Sequence, residues 1–241
     1  MLKKAKNTQY IIFTDLDGTL LNKAYSFKPA EPVLNILKKK KIPVIFCSAK
    51  TKAEQSVFRR KMRLNHPIIV ENGSAVYVPK NYFKQINTLK VVLGIQSDKI
   101  KKEIKTLQRK YKIKGYKDMT AKQVAEITGL KLGRAKLAKK REFGETVVES
   151  DKKALKELKK EFNVVSGGRF IQVFGKKADK GKAVKLLTQM YKKEFGKIIT
   201  IGLGDSENDK PMLKNVDIPI LVKNGPQEWA KSIKRIILHE K

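Results

Sequence analysis

The segment Asp15-Leu16-Asp17-Gly18-Thr19-Leu20 follows the apolar run Tyr10–Phe13, and this junction decides the fold. The run lacks polar–apolar alternation, as expected of a strand buried on both faces of a parallel sheet. Ile42–Cys47 and Ile68–Val70 read the same way. Between these runs lie helical stretches, from Pro29 or Glu31 to Lys40 and from Thr51 to Met62. Thr51 with Glu54 three residues on has the spacing of a capping box. A β-α-β-α-β order predicts an α/β fold, a Rossmann-like doubly wound parallel sheet.

From about residue 84 the pattern changes. A strand over Thr88–Ile95 precedes a helix carrying Ile100, Ile104, Leu107 and Tyr111 on one stripe. Ile113–Lys117, a helix with Val124, Ile127 and Leu130, the strand Glu145–Glu149, a helix from Ser150 and a strand over Val164–Phe174 follow. This reads as a small α+β unit with its own sheet. After Asp179 the first pattern returns: a helix over Lys180–Lys193, a strand over Ile198–Leu203, a helix after Asn208, a strand over Ile218–Val222 and a last helix. The expected organisation is a core of residues 1–83 and 171–241 interrupted by an insertion at 84–170.

Ligands of open α/β sheets bind at the carboxyl ends of strands. Asp15 and Asp17, two apart on extended chain, are expected to point the same way. Close like charges raise one carboxyl pKa unless a cation intervenes, so the pair needs a shared proton or a metal. Hard oxygen ligands favour Mg²⁺. Three other places add to the pair. Ser48 follows the second strand at a helix start, an anion-binding position. Lys180 opens the helix after the insertion. Gly204-Asp205-Ser206-Glu207-Asn208-Asp209 ends another strand with three acids. Taken singly, these are a helix-start hydroxyl, one lysine among 47, and turn formers. Taken together, they bring a carboxylate nucleophile, a hydroxyl, a cation and metal-binding acids to one edge of one sheet.

In this order, the four segments resemble the haloacid dehalogenase (HAD) superfamily of phosphatases, and the insertion resembles a type C2B cap. Ser48–Gln55, Glu71-Asn72-Gly73-Ser74-Ala75, Arg141-Glu142-Phe143-Gly144-Glu145 and Ser166-Gly167-Gly168-Arg169-Phe170 are similar to the mannosyl-3-phosphoglycerate phosphatase group. The resemblance implies an aspartyl-phosphate mechanism with Asp15 as nucleophile and Asp17 as acid and base. Mg²⁺ would be held by Asp15, the Asp17 carbonyl, Asp205 and Asp209. Ser48 and Lys180 would bind the phosphoryl oxygens, with Gly18 admitting the backbone and Thr19, Lys50 and Asn208 in support. Arg141, Glu142, Arg169 and the Gly167-Gly168 backbone would meet the substrate from the cap, with Glu71, Asn72 and Gly73 beside them. Plainer roles exist for these last: cap-sheet ion pairs, and an Asn-Gly hairpin turn at 71–73. The implied substrate is a small anionic sugar phosphate. Other C2B sugar-phosphate or phosphoglycolate phosphatases share much of the pattern.

The composition narrows the alternatives. Fifty-five basic against 23 acidic residues leave a net charge of +32. A nucleic-acid arm would concentrate that charge, yet residues 84–170 carry 24 basic and 10 acidic residues and the rest is equally diffuse. Lysine in place of arginine also disfavours groove readout, since arginine supplies the bidentate fork. An inactive, basic HAD-fold protein bound to nucleic acid is the reading of a different class; such proteins usually lose one of the acids, and this chain keeps Asp15, Asp17, Asp205 and Asp209. No apolar run approaches the roughly 18 residues of a membrane span, and no apolar segment follows the basic start. A cytoplasmic location without membrane partners is therefore expected. One cysteine excludes a disulfide framework and a Cys-cluster zinc site. Cys47 reads as a buried small hydrophobe. His66 and His239 lie outside every motif, and Gly175…Gly181-Lys182-Ala183 misses the P-loop spacing and its Ser or Thr.

Overall fold

A computed structural model describes residues 9–84, 90–167 and 169–238. Among these residues eleven strands fall in two sheets: β1 (Gln9–Thr14), β2 (Val44–Cys47), β3 (Ile68–Val70), β4 (Ala75–Tyr77), β5 (Lys90–Val92), β6 (Ile113–Gly115), β7 (Gly144–Ser150), β8 (Phe162–Gly167), β9 (Phe170–Gly175), β10 (Ile198–Gly204) and β11 (Ile218–Leu221). The α-helices are α1 (Glu31–Lys39), α2 (Lys52–Met62), α3 (Ser97–Leu107), α4 (Ala121–Thr128), α5 (Leu132–Ala138), α6 (Lys152–Glu161), α7 (Lys180–Phe195), α8 (Lys210–Leu213) and α9 (Gly225–Ile237).

The large sheet has the order β11-β10-β1-β2-β3-β4-β5. Its first five strands are parallel; at the far edge β4 runs antiparallel to β3, and β5 antiparallel to β4. Its two-sided burial explains the missing alternation in β1. Ile12 packs into the cluster containing Leu34 of α1, Phe58 of α2 and Trp229 of α9. Ile11 and Phe13 pack on the opposite face with Val184, Leu187 and Tyr191 of α7. All three strand residues are fully buried, which contributes on the order of 1.5–3 kcal/mol for each side chain. The capping box is present: Thr51 Oγ1 accepts from Glu54 N at 3.1 Å, and Thr51 N donates to Glu54 Oε2 at 2.9 Å.

The small sheet is antiparallel, in the order β6-β7-β9-β8, with α3 and α6 covering one face. Strand membership differs from the sequence reading at both ends of the insertion. Lys90–Val92 pairs with β4 and so extends the large sheet. Phe170–Gly175 pairs with β7 and β8 and belongs to the small one. The single strand expected over Val164–Phe174 is a hairpin, with Gly167 paired to Phe170 across its turn. The Asn-Gly turn at 71–73 is there, joining β3 to β4, with Glu71, Asn72 and Gly73 all at positive φ. Among the described residues no helix is long and apolar enough to cross a membrane.

Candidate active site

The carboxyl ends of β1, β2 and β10 open into a cavity of about 440 Å³ that the small sheet roofs. Asp15, Asp17, Gly18, Ser48, Lys50, Asp205 and Asn208 line it from below, and Arg141, Thr146, Arg169, Phe170 and Gln172 from above. Its size falls in the ordinary range for small-molecule sites.

Asp15 leaves the end of β1, its N–H donating to the Leu203 carbonyl at 2.8 Å. The Thr14 hydroxyl donates to the Asp15 carbonyl at 2.8 Å and in turn accepts from Trp229 Nε1 at 2.9 Å, which fixes the strand end to α9. Lys180, almost fully buried at the start of α7, places Nζ 2.8 Å from Asp15 Oδ1 and 2.6 Å from Asp209 Oδ1. Burial works against the lysine's charge, but Asp15 and Asp209 outweigh it and hold its pKa above the usual value. Burial pushes the Asp15 carboxyl up to about 8, with Lys180 opposing and Asp209 and Asp17 adding to the rise.

The acidic loop is built around Asp209. Its Oδ2 accepts from Asp205 N, Ser206 N and Ser206 Oγ at 3.1, 3.1 and 3.0 Å. With Lys180 on Oδ1, that wholly buried carboxylate serves four donors. Asp205 is held at Oδ1 by the Thr19 hydroxyl at 2.8 Å. Gly18, at φ +75°, lies against the same carboxylate: a Cβ there would stand 2.4 Å from Asp205 Oδ2. Oxygens of Asp15, Asp205 and Asp209 all lie within 4.8 Å of one another. An all-oxygen donor set, with three carboxylates against one lysine, suits a hard cation.

Asp17 faces the same cavity, and its charge adds to the rise in the Asp15 pKa. The chain leaves the strand after Thr14, and each acid has its own lysine. Lys50 Nζ is 2.9 Å from Asp17 Oδ2 and 3.6 Å from Glu54 Oε1. Burial opposes that ammonium's charge, and Asp17 and Glu54 outweigh it and hold its pKa up. Ser48, nearly fully buried, turns its carbonyl to Asn72 N at 3.2 Å and lines the cavity beside Lys50.

The remaining sequence candidates divide between cavity and joint. Arg141 lines the cavity and donates twice to the Ala49 carbonyl, each at 3.2 Å, while its buried Nε has no partner among the described residues. Arg169 lines the cavity and donates to the Ile127 carbonyl at 2.8 Å. Glu71 is not a cavity residue. It accepts from the N–H groups of Glu142 and Phe143 at 2.9 and 3.0 Å and sits 3.7 Å from Arg141, joining the β3–β4 turn to the approach to β7. Burial raises its pKa, against Arg141 and the two N–H groups. Glu142 points away to Tyr77 Oη and Lys90 Nζ, at 2.8 and 3.0 Å. Gly73 abuts the Asp179 carbonyl, 2.1 Å from where a Cβ would stand. Asn72 accepts from Asn208 Nδ2 at 3.5 Å. Gly167 pairs within the hairpin, and Gly168 lies outside the described residues. Sequence reasoning missed Tyr25, Tyr116, Thr146 and Gln172, all on the cavity wall. For Gln172 a signal existed, a lone polar residue between Phe170 and Phe174 on one face of an otherwise apolar strand.

Several known proteins are similar to this chain. A glucosyl-3-phosphoglycerate/mannosyl-3-phosphoglycerate phosphatase of Persephonella marina is 43% identical, over 94% of this chain and 97% of its own. One of the same description from Methanococcoides burtonii is 41% identical, over 93% and 89%. A mannosyl-3-phosphoglycerate phosphatase of Pyrococcus furiosus is 39% identical, over 94% and 96%. Among solved structures, a Bacteroides thetaiotaomicron haloacid dehalogenase-like hydrolase superposes with a TM-score of 0.67 at 16% identity, covering 95% of this chain and 100% of that one. A Thermotoga maritima protein does so at 0.66 and 20%, covering 95% and 97%. Residues 12–241 match the haloacid dehalogenase-like hydrolases, and the chain belongs to that family.

Proposed function

We propose that the chain is a Mg²⁺-dependent phosphatase that hydrolyses mannosyl-3-phosphoglycerate to mannosylglycerate and phosphate. The observation that carries the chemistry is the buried Asp15–Lys180–Asp209 cluster beneath a cavity whose roof presents Arg141 and Arg169. The names of the relatives at 39–43% identity support the substrate. The site's floor suits a phosphoryl group, and the two arginines suit a carboxylate on the same molecule.

In this reading Asp15 attacks phosphorus in line and carries the phosphoryl group as an acyl phosphate, splitting one hard step into two easier ones. Asp17 gives its proton to the leaving oxygen of the glycerate and then takes one from the water that attacks the acyl phosphate. Lys50 holds that carboxylate toward the cavity. Lys180 and Ser48 stand where charge accumulates on the transferring oxygens. Asp15, Asp205 and the Asp17 carbonyl would hold Mg²⁺, which supplies charge neutralisation at the phosphoryl oxygens. Asp209, with both oxygens already accepting, anchors the loop and Lys180. The small-sheet unit acts as a cap whose opening admits substrate.

Phosphate release from mannosyl- and glucosyl-3-phosphoglycerate, with and without Mg²⁺, tests the proposal. Turnover should need the metal, and Asp15→Asn should abolish it with the circular-dichroism spectrum unchanged. Appreciable turnover by Asp15→Asn sinks the nucleophile assignment.

A further inference from the structure

The two faces of the small sheet have different surroundings. Val147 of β7 and Ile171 and Val173 of β9 pack toward α3 and α6. Strand alternation turns Thr146 and Gln172 to the other face, where both line the cavity above Asp15. They are directly opposed in the antiparallel register, and Thr146 Oγ1 donates to Gln172 Oε1 at 3.2 Å. That bond spends the hydroxyl proton and fixes the amide's orientation. What remains is one donor, Gln172 Nε2, and the lone pairs of Thr146 Oγ1. Neither has a further hydrogen-bond partner among the described residues.

Both side chains are more than nine-tenths buried. Gln172 Nε2 therefore offers its donor to the cavity, where a ligand oxygen can take it. Its natural complement is a ligand that accepts at one atom and donates at the next. An anion does not fit, because it would meet the lone pairs of Thr146. A pair of neighbouring hydroxyls does: one oxygen accepts from Gln172 Nε2 while the next hydroxyl donates to Thr146 Oγ1. On the same wall the rings of Phe170 and Tyr116 meet edge to face, with centroids 6.3 Å apart. This is an apolar surface beside a few placed polar atoms, the make-up of a site for a neutral, ring-shaped group.

We infer that Thr146 and Gln172, beside Phe170 and Tyr116, form the subsite that reads the sugar hydroxyls of the substrate. This rests on the reading of the substrate as a glycosylated phosphoglycerate. It leaves the arginines to the carboxylate and the cavity floor to the phosphoryl group, and it makes the cross-strand pair a specificity determinant distinct from the reacting groups.

The test compares kcat and KM for mannosyl-3-phosphoglycerate and p-nitrophenyl phosphate in the full chain and in Gln172→Leu and Thr146→Val. With the sugar-bearing substrate, kcat/KM should fall about tenfold in Gln172→Leu, mainly through KM, the effect of one lost hydrogen bond. With p-nitrophenyl phosphate it should stay within about twofold. Gln172→Glu, which keeps the shape and removes the donor, should show the same selectivity and covers the case in which Gln172→Leu does not fold. Equal losses on both substrates, or none on either, overturn the subsite. Failure of the underlying substrate reading is seen separately, in a wild-type chain that cleaves p-nitrophenyl phosphate but no glycosylated phosphoglycerate.

Discussion

At Gly18 two independent constraints fall on one residue. Its φ of +75° lies in the left-handed region that side chains avoid, and a Cβ would stand 2.4 Å from Asp205 Oδ2. Asp205 is held by Thr19 and belongs to the carboxylate group that suits a cation. Gly18→Ala therefore displaces the acid more than it unfolds the protein. The expected result is a loss of phosphatase activity of about 100-fold, an Mg²⁺ requirement shifted to higher concentration, and a cost of about 1–2 kcal/mol in stability from the strained backbone. Metal titration of activity beside a urea melt checks this, and an unchanged Mg²⁺ midpoint would remove the link between Gly18 and the metal-facing acid. The reacting residues were legible because short motifs carry them: Asp15, Asp17, Lys180 and Asp205 occupy the strand and helix ends where the sequence places them. Their bonds were not legible. Nothing in the motif says that Asp15 and Asp17 would take separate lysines, because Lys50 and Lys180 are 2 of 47.

At the level of elements, the large sheet could be read because burial on both faces leaves long apolar runs. Of the short elements, β4 and α5 could not: they lack both a long apolar run and a visible period. The hairpin of β8 and β9 reads as one strand because only Ser166-Gly167-Gly168-Arg169 interrupts its apolar run. Glu71 and Glu142 looked like ligands of a sugar, and the fold uses them as joints, a choice that only tertiary packing makes. One joint also carries a pH dependence. His66, ahead of β3, bonds through Nδ1 to Tyr82 Oη at 2.7 Å, and Tyr82 Oη bonds to Tyr191 Oη of α7 at 2.7 Å. Burial, and then Arg59, push the His66 pKa down to about 4. The folded state thus binds fewer protons than the unfolded chain, whose histidine titrates near 6.5. The stability this provides is complete above about pH 6.5 and is lost as the pH falls toward 4, up to about 3 kcal/mol in all. Urea midpoints from pH 7 to pH 5 should fall more steeply for the wild type than for His66→Gln. Parallel slopes would mean that the ring is not held neutral by the fold.

For the whole molecule, the net charge of +32 is the feature the site does not explain. Lys50 and Lys180 are paired at the cavity floor, and Arg141 stands over it. Several of the other ion pairs, such as Lys160–Glu157 and Lys210–Glu207, are exposed pairs three residues apart, which contribute little. Nor do 14 glutamates balance 47 lysines into networks of the heat-adapted kind. The excess therefore repels itself across the surface, and that repulsion destabilises the compact state. Salt shortens its range from about 10 Å at 0.1 M to about 3 Å at 1 M. The melting temperature should accordingly climb as potassium chloride rises from 20 mM to 1 M, and sulfate should act at lower concentration than chloride. The same field draws an anionic substrate toward the cavity. The kcat/KM for a charged substrate should thus fall over the interval in which the melting temperature rises, with kcat nearly unchanged. The two opposed trends have one source, the unpaired lysines, but each reads it at a different place. A flat melting temperature would mean that the lysines are too far apart to strain the fold, and a flat kcat/KM would mean that their field does not reach the cavity mouth.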